Sequence, residues 1–167
     1  IAAKIVDAQA AIDAYCKRTF EATEDSTRYF DYSSQHVDGL TLWLYDEIAA
    51  ITTVTNGDGV EVTSAQYTTI PRNETPYNKI RILSNSGKYW TYTSEWMDAI
   101  SITGRWAYMV EADGAIEEAA TQLAGFYFRS KDAPFTDVSA VEVGVVVKPS
   151  GMPAIVKALL NRGYVKP

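Results

Sequence analysis

A chain of 167 residues, 47% hydrophobic and 22% charged, is long enough to bury a real core and too apolar to stay disordered. Its net charge of −6 argues against a general nucleic-acid binder, and no apolar run reaches the roughly 18 residues that a membrane span needs, so cytosolic synthesis and no membrane partner are expected. The single cysteine, Cys16, excludes an internal disulfide, and with His36 as the one histidine the chain has no Cys/His set for a structural zinc.

In chain order, residues 2–18 place Ile5, Ala8, Ile12 and Tyr15 at helical spacing among alanines. The spacing predicts an amphipathic helix, marginal alone at that length, which must pack on a partner. Residues 19–25 then lead away through an acidic turn. From 26 to 108 the period becomes strand-like: 27–32, 40–44, 50–55, 60–62, 66–70, 79–83 and 99–103 are short and rich in Thr, Val, Ile, Tyr or Trp. Asn56-Gly57 and Asp58-Gly59 are the strongest hairpin signal, because Gly and Asn or Asp accept the positive φ that tight turns require. Pro71 and Pro76 bracket a loop, where a residue without an N–H is harmless. The best helix follows, at 115–131. Ile116, Ala119, Ala120, Leu123, Ala124 and Tyr127 lie on one stripe, Asp113 stands at the N-cap, and Arg129 and Lys131 close the far end. Val141, Val143, Val145 and Val147 alternate as one face of a strand. Beyond Pro153, residues 154–161 predict a short helix with Ile155, Leu159 and Leu160 facing inward and Gly163 at its C-terminal cap.

The class this predicts is α+β: an antiparallel helical base, the N-terminal helix and the helix at 115–131, with an inserted β-rich meander or small barrel and a C-terminal strand plus short helix. Residues 1–140 form one domain (base 1–20 and 110–132, insertion 26–108), and 141–167 form a tail. The tail is chemically distinct. Lys148, Lys157, Arg162 and Lys166 face no acid there, a charge of +4, which leaves eleven bases against twenty-one acids, net −10, in the rest. A basic tail on an acidic body suits docking on something acidic, such as a neighbouring copy, or simply a solvated terminus.

Chemical constellations are weak. Cys16 as nucleophile with His36 as base is disfavoured, since Cys16 falls on the apolar side of a helix and His36 in a polar loop. Asp46-Glu47 and Glu117-Glu118 are sequence neighbours and point apart, so neither makes an acid/base pair. Asp58-Gly59 lacks the surrounding ligands of a calcium loop, and no nucleophile elbow, phosphate loop or dinucleotide fingerprint occurs. Four Trp and eleven Tyr stand out. Trp43, Trp90, Trp96 and Trp106 suit either a stacking platform for sugars or single-stranded nucleic acid or the cross-strand pairs of a small sheet, and the area that a small sheet must bury favours the second.

The order of segments resembles the tailed-bacteriophage head-tail connector family, the gp6-like adaptors. The matching pieces are Ala11-Ile12-Asp13-Ala14-Tyr15-Cys16-Lys17-Arg18-Thr19-Phe20, Thr27-Arg28-Tyr29-Phe30, Asp46-Glu47-Ile48-Ala49-Ala50-Ile51-Thr52-Thr53-Val54, and Tyr67 leading to Pro71. Ile102-Thr103-Gly104-Arg105-Trp106-Ala107-Tyr108 and Ile116-Glu117-Glu118-Ala119-Ala120-Thr121-Gln122-Leu123-Ala124 complete them, over most of residues 5 to 131. None is a chemical motif; the specificity lies in order and spacing. The resemblance implies a structural virion protein, not an enzyme, without cofactor or metal. Such a protein sits in the virion neck after assembly in the host cytoplasm, in a dodecameric ring beneath the portal protein. Its partners are the portal, neighbouring copies and a stopper or tail-completion protein, and double-stranded DNA passes through without sequence-specific binding.

On that reading, Val141, Val143, Val145, Val147, Lys148, Ile155, Leu159, Leu160, Arg162 and Tyr164 form the interface to the portal or a neighbouring subunit, against the alternative that strand and helix fold back on their own core. Rival readings are a carbohydrate- or receptor-binding β module of a phage or secreted protein, a glycan-processing enzyme, and an oligomeric scaffold outside phages.

Overall fold

The first helix, α1 (Ala2–Cys16), has few polar side chains, and its buried stripe is Ala8, Ile12 and Cys16, each four residues after the last. The computed structural model describes residues 2–130 and 151–166, so Val141, Val143, Val145, Val147 and Lys148 lie outside the described residues. The chain is α+β and divides into two compact units, a helical one of Ile1–Arg18 with Ala112–Pro167 and a β-rich one of Thr19–Glu111.

In the helical unit, α1 packs on α2 (Gly114–Ser130), which contributes Ile116, Ala119 and Leu123 to the core. Asp113 caps α2 as its position predicts, its Oδ1 accepting the N–H groups of Ala115 and Ile116 at 3.1 Å each. Lys4 and Ile5 share a groove with Ala124, Gly125 and Phe128, so the start of α1 lies beside the end of α2 and the pair is antiparallel. A third helix, α3 (Ala154–Leu160), begins directly after Pro153 and buries Val156 and Leu160. Tyr15 donates to Asn161 Oδ1 at 3.0 Å, and the Lys166 N–H donates to the Cys16 carbonyl at 3.0 Å. Both ends of the chain thus build one small core.

The β-rich unit holds seven strands: β1 (Ser26–Phe30), β2 (Val37–Asp38), β3 (Thr41–Ile48), β4 (Ala50–Thr55), β5 (Tyr67–Ile70), β6 (Tyr77–Ile82) and β7 (Ile100–Arg105). They pair antiparallel in two sheets, ordered β1-β7-β4 and β2-β3-β6-β5, with no closed barrel among the described residues. Strands adjacent in sequence, β3 and β4, belong to different sheets and change over at Ala49, whose N–H donates to the Arg105 carbonyl at 2.8 Å. The inner faces meet in one core that includes Phe30, Leu42, Ile48, Ile80, Ile82, Ile100 and Ile102, together with Trp90 and Trp106.

The expected turn at Asn56-Gly57-Asp58-Gly59 is present, with Gly59 at φ 76° and the Asn56 N–H bonded to the Val60 carbonyl. The return at 60–62 makes only a bridge from Thr55 to Glu61, yet it buries Val62. Asn56 is itself buried, and both its side-chain oxygen and its nitrogen are hydrogen-bonded. Its Oδ1 accepts from Gly57 and Thr91, and its Nδ2 donates to the Tyr89 carbonyl. The unit closes where it opens: Tyr108 N–H donates to the Thr19 carbonyl at 2.8 Å and Glu21 bridges Met109.

Candidate functional site

The predicted interface residues divide by the phase of α3. Ile155 is 61% exposed, Leu159 is half-buried and Leu160 is fully buried. The expected inward face of Ile155, Leu159 and Leu160 is therefore turned: Val156 and Leu160 point into the core, and Ile155, one residue earlier, points to solvent. Arg162 is exposed, as is Lys157. Tyr164 folds back, its hydroxyl donating to Asp113 Oδ2. That hydrogen bond, with the N–H groups of Ile116 and Ala115, holds the Asp113 carboxyl below its ordinary value against the opposing effect of burial. Tyr164 is thus an internal latch on α2; Ile155 and Lys157 are exposed on α3 on either side of its buried stripe, and Arg162 is exposed just beyond it.

On the same unit, α1 leaves Ile5 and Val6 exposed, although helical spacing places Ile5 in the buried stripe. Ile5, with Ala120, Ala124, Gly125 and Phe128, borders an open apolar groove of about 320 Å³. Small residues in that wall lower it. Cys16 lies in the core of this unit, and burial pushes its thiol up, which leaves little thiolate for nucleophilic chemistry.

The β-rich unit separates the aromatic residues that the sequence groups together. Trp90 and Trp106 are core residues, their indole N–H groups donating to the Leu40 carbonyl at 2.9 Å and the Ser26 carbonyl at 3.0 Å. Trp43 lies at the surface under the Lys79 ammonium, 3.6 Å from the ring centroid. His36 packs edge-on between Phe30 and Tyr45, at 5.6 and 5.3 Å between ring centroids. Arg105 donates to Asp25 Oδ1 at 2.8 Å and Thr52 to its Oδ2, and these bonds, the Thr52 one first, hold the Asp25 carboxyl low. Arg28 pairs with Asp46.

A second group is exposed. Tyr32 packs against Tyr92 with ring centroids 5.1 Å apart and planes tilted by 44°, and its N–H donates to the Trp96 carbonyl at 2.7 Å. Glu95 Oε1 accepts from the N–H groups of Trp96 and Met97, and Asp31 Oδ1 accepts from Asp98 N–H at 2.9 Å. Asp98 sits at φ 51°, which a short acid tolerates better than a branched residue. The outcome is a patch of Tyr92, Trp96 and Met97 ringed by Asp31, Glu95 and Asp98. Trp96 and the tyrosines were legible as aromatics, but nothing local shows that residues 31–32 and 92–98 meet. Among the described residues no group of three or more His, Cys, Asp or Glu is arranged to hold a metal ion, and no helix is long and apolar enough to cross a membrane.

These surfaces define an α+β protein that presents apolar, aromatic and charged faces. No family model matches the sequence, and no curated protein does. Among solved structures the chain is similar to one in the virion of a native gene transfer agent particle, with TM-score 0.49 and 16% identity over 96% of this chain and 74% of that one. It is also similar to a chain from the neck of an empty particle of that kind computed with C6 symmetry, with TM-score 0.47 and 15% identity over 94% of this chain and 74% of that one. A third is from the neck of a native particle computed with C12 symmetry, with TM-score 0.47 and 15% identity over 94% of this chain and 79% of that one.

Proposed function

We propose that this chain is a structural protein of a virion neck, a head-tail connector subunit that packs beside copies of itself in a ring beneath the portal, extends the DNA channel and joins head to tail. The observation that carries the reading is the order of the connector-like segments and where they fall. Ala11 to Phe20 spans the end of α1 and the entry to the β-rich unit, Thr27 to Phe30 is in β1, Asp46 to Val54 spans the β3–β4 changeover, Ile102 to Tyr108 runs along β7 and out of it, and Ile116 to Ala124 lies in α2. Ala11 to Phe20 and Ile102 to Tyr108 lie where the chain enters and leaves the β-rich unit, and Asp46 to Val54 where it changes sheet. A helical unit built from both ends, with an apolar groove and exposed Ile5, Val6, Phe128 and Ile155, has surfaces suited to lateral packing. The acidic body repels a passing duplex, which suits a conduit. Particles bearing the matching portal, mixed with the purified chain and imaged, are expected to gain a ring of density under the portal; particles that stay bare reject the reading.

The exposed Tyr92, Trp96 and Trp43 favour one alternative, a carbohydrate- or receptor-binding β module. It predicts quenching of tryptophan fluorescence by glycan ligands, where the connector reading predicts none.

A further inference from the structure

We propose that the basic C-terminal segment of one copy, α3 with the turn that follows it, docks on the acidic aromatic patch of the β-rich unit in a second copy, the head-to-tail contact from which the ring is built; this rests on the connector reading above. The patch joins Tyr92, Trp96 and Met97, at 43%, 44% and 53% exposure, to the carboxylates of Asp31, Glu95 and Asp98. No lysine or arginine occurs from Tyr89 to Gly104 to neutralise it. Rings beside carboxylates accept a cation on an aliphatic stem: the ring faces take the stem and part of the charge, and the carboxylates take the rest.

The chain carries a matching surface. Residues 151–166 contain Lys157, Arg162 and Lys166 and no acid. Among the described residues none of these three bases makes an ion pair, and Lys157 and Arg162 are exposed, as is Ile155 of the same segment. Burial of Val156 and Leu160, with the Tyr164 and Lys166 bonds to Asp113 and the Cys16 carbonyl, fixes which side of α3 faces out. The contact is heterologous, one surface receiving a different one, and repetition of such a contact closes into a ring when the rotation allows. Opposite charge on the two faces also disfavours tail-to-tail and patch-to-patch pairing.

The test follows the mass of the full-length chain by sedimentation velocity across a concentration series at low and high salt, with a thermal melt of every variant as the check on folding. Self-association is expected to weaken with salt. K157E/R162E, W96A and E95Q/D98N are each expected to weaken it at least about tenfold; E95Q/D98N keeps the Glu95 acceptor and so separates lost charge from a damaged loop. K157E/R162E mixed with E95K/D98K is expected to reassemble, because each reversed tail then finds a reversed patch and each native tail a native patch. Variants that assemble like the parent, a mixture that does not recover, or a parent that stays monomeric overturns the proposal. If K157E/R162E loses binding to portal-bearing particles while its self-association is intact, the tail belongs to the portal; the proposal then falls and the connector reading stands. A chain that neither self-associates nor joins the portal sinks both.

Discussion

Gly104 has no room for a methyl group. A Cβ there would sit 2.1 Å from the Ala50 carbonyl oxygen, where β4 crosses the middle strand of its sheet. Gly104→Ala is therefore expected to cost about 2–3 kcal/mol through forced movement of backbone, read as a lower urea midpoint; an unchanged midpoint refutes the packing argument. Asp113 offers a pH-dependent check. Its carboxyl is held low first by the Tyr164 hydroxyl, so the stabilisation is complete above the unfolded carboxyl value of about 4 and is lost as pH falls through the lower folded value. Tyr164→Phe is expected to lower the melting temperature near neutral pH, with the difference from the parent shrinking in strong acid. A difference that stays constant with pH assigns Tyr164 to packing alone.

At the scale of one element, α3 shows what a short apolar helix leaves open. Its sequence offers two inward pairs, Ile155 with Leu159 and Val156 with Leu160, each four residues apart. Only packing against the other helices selects the second. Leu160→Ala is expected to cost about 2–4 kcal/mol of stability, whereas Ile155→Ala should melt within about 0.5 kcal/mol of the parent and act, if at all, on assembly. Thermal melts beside a portal-binding assay separate the two, and the reverse ranking would place Ile155 in the core. The same ambiguity affects α1, where the alanine-rich surround lets the stripe settle on Ala8, Ile12 and Cys16 and leaves Ile5 outside.

For the whole molecule, the β-rich unit has its own core and brings its two ends together through Thr19, Glu21, Tyr108 and Met109. A fragment of residues 19–111 is expected to fold alone, with a cooperative melt and the shielded tryptophan emission of Trp90 and Trp106. A non-cooperative melt contradicts that. The helical unit draws on both ends of the chain, so removing residues from 151 onward takes Val156 and Leu160 out of its core and should lower its stability.

What the sequence alone determined is local. Helical spacing, the Asp113 cap, the Gly59 turn and the short β-rich runs placed nearly every element within a few residues, because period and turn chemistry act between near neighbours. The α+β class followed from their order. Tertiary structure decided the rest: β7 between β1 and β4, the changeover at Ala49, the side of α3 that is buried, and the meeting of Tyr32 with Tyr92. Those choices turn on which distant surfaces exclude water together, and no short stretch of chain encodes them by itself.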